Sequence, residues 1–398
     1  MVYSLPVLSL VLLCVMVSCS VLEEQTPTNT NVSDYDSLAV SDIIEPDTEP
    51  ELEPNILRSE DHVHFVHPHL DWPYLAWTSI REGGLGCISS PWMQDCKAKV
   101  HLFNLQTGLE LFWTSSATAR SRPKVHDGHL IWKDKDGHLQ IRRTDTGEKT
   151  KPFSNSNIYL DPYCSDGKVY VYLWGGDLLQ PHPQTGIASF DLSSSKVQWE
   201  LTDYVEQVGF LPESSTALPG FSVGDGKLVF NKYVRDPETN SYRMQMFVSV
   251  LGTDVSQQLT FADSNNIWPR ISGSRIYYLS FDEEYYVCGD GSCNFRLKML
   301  DLESLETTVV AGEDGQISGL VPPVPVGDGV AWIDHTQGAY RLMFGLGEAQ
   351  IQTTMNDYPI ALFSGLAVDQ ISDSSISVIW SSPDGDRSIF LQNTLDLP

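Results

Sequence analysis

Pro269-Arg-Ile-Ser-Gly-Ser-Arg-Ile-Tyr-Tyr-Leu-Ser280 can be laid over Pro68-His-Leu-Asp-Trp-Pro-Tyr-Leu-Ala-Trp-Thr-Ser79 without a gap. The proline, the apolar third position, the bulky tenth and the closing serine coincide, and Pro123-Lys-Val-His-Asp-Gly-His-Leu-Ile-Trp132 fits the same frame. Outward from these, the phrase recurs seven times, round Trp77, Trp132, Val171, Phe230, Tyr278, Trp332 and Trp380, at spacings of 39 to 59 residues. In five of the seven a proline stands nine residues upstream: Pro68, Pro123, Pro162, Pro269 and Pro323. Asp, Gly and Ser pairs supply the positive φ of tight turns, and alternating side chains let each strand bury a face. A further strand follows in every unit, at 100–105, 139–144, 187–192, 246–251, 296–302, 341–346 and 388–394. A repeat of this period, too small to bury its own faces, predicts an all-β, seven-bladed β-propeller of four-stranded antiparallel blades. The last repeat ends soon after its second strand, so residues 61–66 are expected to supply an outer strand and latch the ring.

The net charge of −27 and pI near 4.5 set the class of partner. Phosphate-tracking surfaces need clustered Lys and Arg, which are missing here, so no nucleic acid is expected. The charge also disfavours electrostatic docking on anionic lipid and suits a soluble monomer.

Residues 1–18 are apolar and read as an export signal. The run Met16-Val17-Ser18-Cys19 resembles the lipobox of bacterial lipoproteins, which implies lipid attachment at Cys19. Ser20 then implies sorting to the outer membrane, facing periplasm or cell surface; plain secretion is the alternative. The 19–61 segment reads as an acidic linker, with twelve acidic residues against one basic within 20–61. Such a chain cannot bury enough apolar surface to offset its entropy and is expected to be disordered and extended. The propeller then spans 62–398 with a charge of −16, since −27 less the linker's −11 leaves that.

Cys87 and Cys96 bracket one loop, and Cys288 and Cys293 bracket another at the same place in its repeat. Each pair is expected to form a disulfide in an oxidising compartment. A zinc site is the alternative for such cysteines, but CxxC spacing is absent. Cys164 is left over as a buried thiol.

Gln258-Leu-Thr260, Pro269-x-Ile-Ser-Gly273-x-x-Ile-Tyr-Tyr and Met299-Leu-Asp-Leu302 resemble TolB-type propeller repeats of bacterial envelope proteins. The resemblance covers nearly all of 62–398 and implies a binding role towards another envelope protein. An acidic linker stands where TolB has an amino-terminal domain, and Ser382-Pro-Asp-Gly385 follows the core strand instead of preceding it. Phe103-Asn-Leu-Gln-Thr-Gly108 with Trp113, and Phe190-Asp-Leu with Trp199, are similar to quinoprotein-like repeats, which would imply a redox cofactor.

Four histidines, His62, His64, His67 and His69, fall within eight residues. On a strand His62 and His64 share a face and could converge on a divalent metal. The resemblance to TolB-like polysaccharide lyases, which hold a metal on propeller histidines, implies a metal-dependent carbohydrate-active enzyme as the alternative function. Gly220-Phe-Ser222-Val-Gly224 matches a nucleophile-elbow pattern but is followed by a strand, so it reads as a turn. Asp134-x-Asp136-Gly137 and Asp384-Gly385-Asp386 are fragments of calcium loops without the closing ligand, and read as hairpin turns. The loop holding Glu283, Glu284, Tyr285, Tyr286 and Asp290 is acidic and aromatic, and loops on a rigid scaffold often carry recognition. The leading expectation is therefore a non-catalytic envelope lipoprotein, without cofactor, that binds a protein partner.

Overall fold

The computed structural model describes residues 55–61, 63–80, 98–117, 121–153, 157–158, 162–174, 186–202, 220–235, 242–253, 255–261, 264–282, 294–312, 317, 319, 321–336, 339–346, 349–352, 366–372, 374–384 and 387–396. They form seven antiparallel sheets. Six occupy 64–117, 124–150, 157–202, 221–258, 265–311 and 324–352, and the seventh combines 366–396 with Asn55–Asp61; these are blades 1 to 7. All seven core positions fall in the second strand of their own blade and are buried.

First strands of neighbouring blades touch one another and so line the axis. Blades 1, 2, 4, 5 and 6 then run outward in chain order. Blade 3 is the irregular one, with Asn157–Ile158 and Tyr163–Ser165 both pairing with Lys168–Trp174.

The ring closes differently from expectation. The latch is Asn55–Asp61, which lies antiparallel on Arg387–Asp396 with Asn55 opposite Gln392 and Asp61 opposite Arg387. Residues 64–66 instead begin the inner strand of blade 1, His64–Asp71. The last seven residues of the expected linker thus belong to the propeller. Their strand supplies hydrogen-bonding partners to an otherwise open edge, and Leu57 packs on the core between blades 7 and 1.

Among the described residues the core is not single: seven separate apolar clusters occur, one in each gap between neighbouring blades. Leu75 and Trp77 face blade 7 while Ala76 faces blade 2, so a second strand buries both its faces. No blade could therefore be stable alone.

The connections divide the molecule into two unlike ends. Every link from first to second strand is two residues long: 72–73, 127–128, 166–167, 225–226, 273–274, 327–328 and 373–374. Asp127 and Gly128 have φ of 50° and 70°, the double left-handed turn that suits the twist of a hairpin. Antiparallel order sends the second-to-third and blade-to-blade links to the opposite end. These include 81–97, 175–185, 203–220, 282–295 and 353–365.

Candidate functional site

The inner strands place a repeated position three residues before each tight turn, and polar groups there join blade to blade. His69 Nδ1 accepts a hydrogen bond from the Val125 N–H at 3.2 Å, and Ser222 Oγ accepts one from the Ile271 N–H at 3.0 Å. Nearer the turn, Asp71 Oδ2 accepts from the Asp127 N–H at 3.0 Å and His126 Nε2 from the Gly167 N–H at 3.3 Å. Asp369 Oδ2 accepts from the Trp72 N–H at 2.7 Å and so ties blade 7 to blade 1. These five polar side chains near the axis thus hold the ring together.

That use bears directly on the histidine cluster. His64 starts the inner strand, while His67 sits in a left-handed conformation, φ 55°, at a bulge between Val66 and His69. Burial pushes the His67 imidazole well below 6.5, helped by the cations Arg122 and Lys124; burial and Lys124 do the same to His69. The two residues are half-buried, and both imidazoles are neutral at physiological pH. A neutral His69 whose Nδ1 accepts a hydrogen bond carries its proton on Nε2, leaving no lone pair for a metal. Among the described residues, the one group of three or more possible metal ligands is Asp134, Asp136 and His138, so His64, His67 and His69 do not gather into one. His62 lies outside the described residues.

Asp134 is itself committed to its turn. It is 2% exposed; Oδ1 accepts from the N–H groups of Asp136 and His138 at 2.9 and 3.0 Å, and Oδ2 from Gln140 Nε2 at 2.5 Å. These bonds match the hairpin role expected for the segment.

Two polar networks gave no signal in the sequence. In blade 1, Ser79 Oγ lies 2.7 Å from His101 Nε2, His101 Nδ1 lies 2.5 Å from Glu110 Oε1, and Glu110 Oε2 accepts from Arg58 of the latch at 3.2 Å. Between blades 4 and 5, Thr260 Oγ1 donates to Gln245 Oε1 at 2.6 Å, and Asn231 Nδ2 donates to the Asn266 carbonyl at 2.6 Å. Strand register and the packing of neighbouring blades assemble both networks from residues far apart in the chain.

Ser222 is fully buried in the strand Phe221–Gly224, which rules out an exposed nucleophile elbow. Cys164 is a free thiol whose pKa burial pushes up to about 12. Cys19, Cys87, Cys96, Cys288, Cys293, Glu283, Glu284, Tyr285, Tyr286 and Asp290 lie outside the described residues, as do 1–18 and the linker up to 54.

No protein-family description and no curated protein matches the sequence. Solved structures share the fold at low identity. The propeller domain of the trilobed protease from Pyrococcus furiosus, which has an open velcro topology, is similar with a TM-score of 0.59 at 12% identity over 85% of this chain and 96% of that one. An acylaminoacyl peptidase from Pyrococcus horikoshii gives 0.58 at 9% identity over 85% of this chain, which spans about half, 52%, of the peptidase. An oligogalacturonate lyase from Vibrio parahaemolyticus gives 0.54 at 11% identity over 88% and 95%. Identities this low establish the propeller architecture alone.

Proposed function

We propose that this protein is a non-catalytic binding scaffold of the cell envelope: an exported lipoprotein, anchored through Cys19, whose propeller binds another envelope protein. The observation that carries the reading is the asymmetry of the two ends. One end is sealed by seven two-residue turns, and the long connections leave from the other, including the 282–295 segment with its acidic and aromatic residues. A rigid ring with variable loops at one end suits recognition. The axial side chains of His69, Asp71, His126 and Ser222 support the same reading, because they are engaged in blade-to-blade hydrogen bonds. Replacing 283–293 with a short Gly-Ser turn is expected to abolish recruitment of the envelope partner, read by site-specific crosslinking in intact cells. Undiminished crosslinking would overturn the assignment of the binding loop.

The alternative, a metal-dependent carbohydrate-active enzyme, draws on the position of His67 and His69 on the inner strand of blade 1. It requires His69 to surrender its hydrogen bond from Val125. Metal analysis of the purified protein separates the two: about one divalent ion per chain, lost with His67→Ala and His69→Ala, favours the enzyme.

A further inference from the structure

The ring has one seam at which distant parts of the chain must find each other: blade 7, completed by the latch Asn55–Asp61, against blade 1. A chain of charged and polar groups crosses it. Arg58 on the latch donates from Nε to Glu60 Oε1 at 2.6 Å and from Nη1 to Glu110 Oε2 at 3.2 Å. Glu110, on the outer strand of blade 1 (Leu109–Ala117), meets His101 Nδ1, and His101 Nε2 meets the Ser79 hydroxyl. Trp77 stacks flat on His101 at 4.8 Å and 4°, and the Arg58 guanidinium lies 5.5 Å from the Trp77 ring. His101 is 6% exposed.

The order serine, histidine, carboxylate is that of a hydrolytic triad, but the setting is wrong for one. Ser79 lies within a strand paired on both sides, to Phe65 and to Lys99, so its backbone belongs to the ladders and forms no oxyanion cradle.

We propose that this chain is an acid-released clasp: at neutral pH it fastens the latch to blade 1, and protonation of His101, then of Glu110, frees the latch and opens the ring between blades 7 and 1. With His101 neutral, Nδ1–H donates to the Glu110 carboxylate and Nε2 accepts from the Ser79 hydroxyl, so both ring nitrogens are satisfied. Protonation makes Nε2 a donor, forces the hydroxyl to turn, and sets a buried cation near the half-buried Arg58 guanidinium. The groups facing His101 are Ser79 and Trp77 from the second strand, Glu110 from the outer strand, and Arg58 and Glu60 from the latch.

The direction with pH follows from both titrating groups. Burial holds His101 below 6.5, against the pull of Glu110. Burial alone would raise Glu110, but the hydrogen bond from His101 and the Arg58 charge bring it below 4.5. Both folded values are depressed, so the open state takes up protons more readily than the closed one. The clasp is intact above 6.5, weakens below it as the released His101 is protonated, and weakens again below 4.5 as Glu110 is.

Hydrogen exchange of the full chain at about pH 7.5 and about pH 5, corrected for intrinsic rates, tests this. Opening at the latch and at Arg387–Asp396 is expected to rise at the lower pH, about tenfold for each unit by which His101 is depressed, while blade 5 is unchanged. His101→Gln should flatten the response, and Glu110→Gln should leave the latch fast at both values; Arg58→Gln gives the same reading if Glu110→Gln does not fold. A latch whose exchange ignores pH, a response shared equally by blade 5, or one that survives His101→Gln would overturn the proposal.

Discussion

Blades 1 and 5 have nearly the same backbone and different interiors. Their inner strands, His64–Asp71 and Asn265–Ser272, are both eight residues long. Both bulge at the same place, between Val66 and His69 and between Ile267 and Arg270. Each has a left-handed residue directly before its proline, His67 at 55° and Trp268 at 54°. A proline has no N–H to give a ladder, and a bulge is how a strand accommodates it. Beyond this shared frame the contents diverge. Opposite Trp77 stands His101, but opposite Tyr278 stands Lys298, whose amine burial pushes down. Ser79 has His101 as a partner, whereas the aligned Ser280 is fully buried with its hydroxyl unpaired among the described residues. The repeat dictates backbone, then, and leaves the buried chemistry of each blade free. Blade 1 uses that freedom at the seam, and blade 5 lies between neighbours already joined through the chain.

The two blades should differ most at the stacked core. Trp77→Ala is expected to cost about 3–5 kcal/mol in urea unfolding, from the cavity it leaves. Tyr278→Ala should cost less, because Trp77 also stacks on His101, a contact worth about 0.5–1.5 kcal/mol. Equal losses would mean that the stacking adds nothing. Next comes the belt of blade-to-blade bonds. Ser222→Ala strips the Ile271 N–H of its buried acceptor and should lower stability by about 1–3 kcal/mol. Ser280→Ala removes a hydroxyl that has no described partner and should fall within about 0.5 kcal/mol of the parent. A large loss there would show that blade 5 hides a partner equivalent to His101. One chemical test is independent of unfolding. With its thiol pushed up to about 12, Cys164 should alkylate at about pH 8 at least roughly a hundredfold more slowly than a free cysteine.

Much of the ring was legible because propeller blades are built locally. The second strands carry Trp77, Trp132, Phe230 and the rest at the expected positions, since a buried strand between two tight turns announces itself by composition. The latch was hidden for the opposite reason. Asn55–Asp61 holds Ile56 and Leu57 among polar and acidic residues, and only its pairing with Arg387–Asp396 makes it a strand. The histidine cluster was visible as composition, but the structural duty of its members was not. One of its rings, His69, is a hydrogen-bond acceptor for Val125, a role that depends on how blades 1 and 2 abut.

Local patterning was enough to mark the seven repeats, the strand at the core of each and many of the tight turns. Turn formation and alternation act over a few residues and need no knowledge of distant chain. Which strand closes the ring, how many blades it holds and which polar groups face one another across a ladder emerge only when the blades pack. Register between strands is set by packing the blades together, so Ser79, His101, Glu110 and Arg58 become a single network only once the latch is in place.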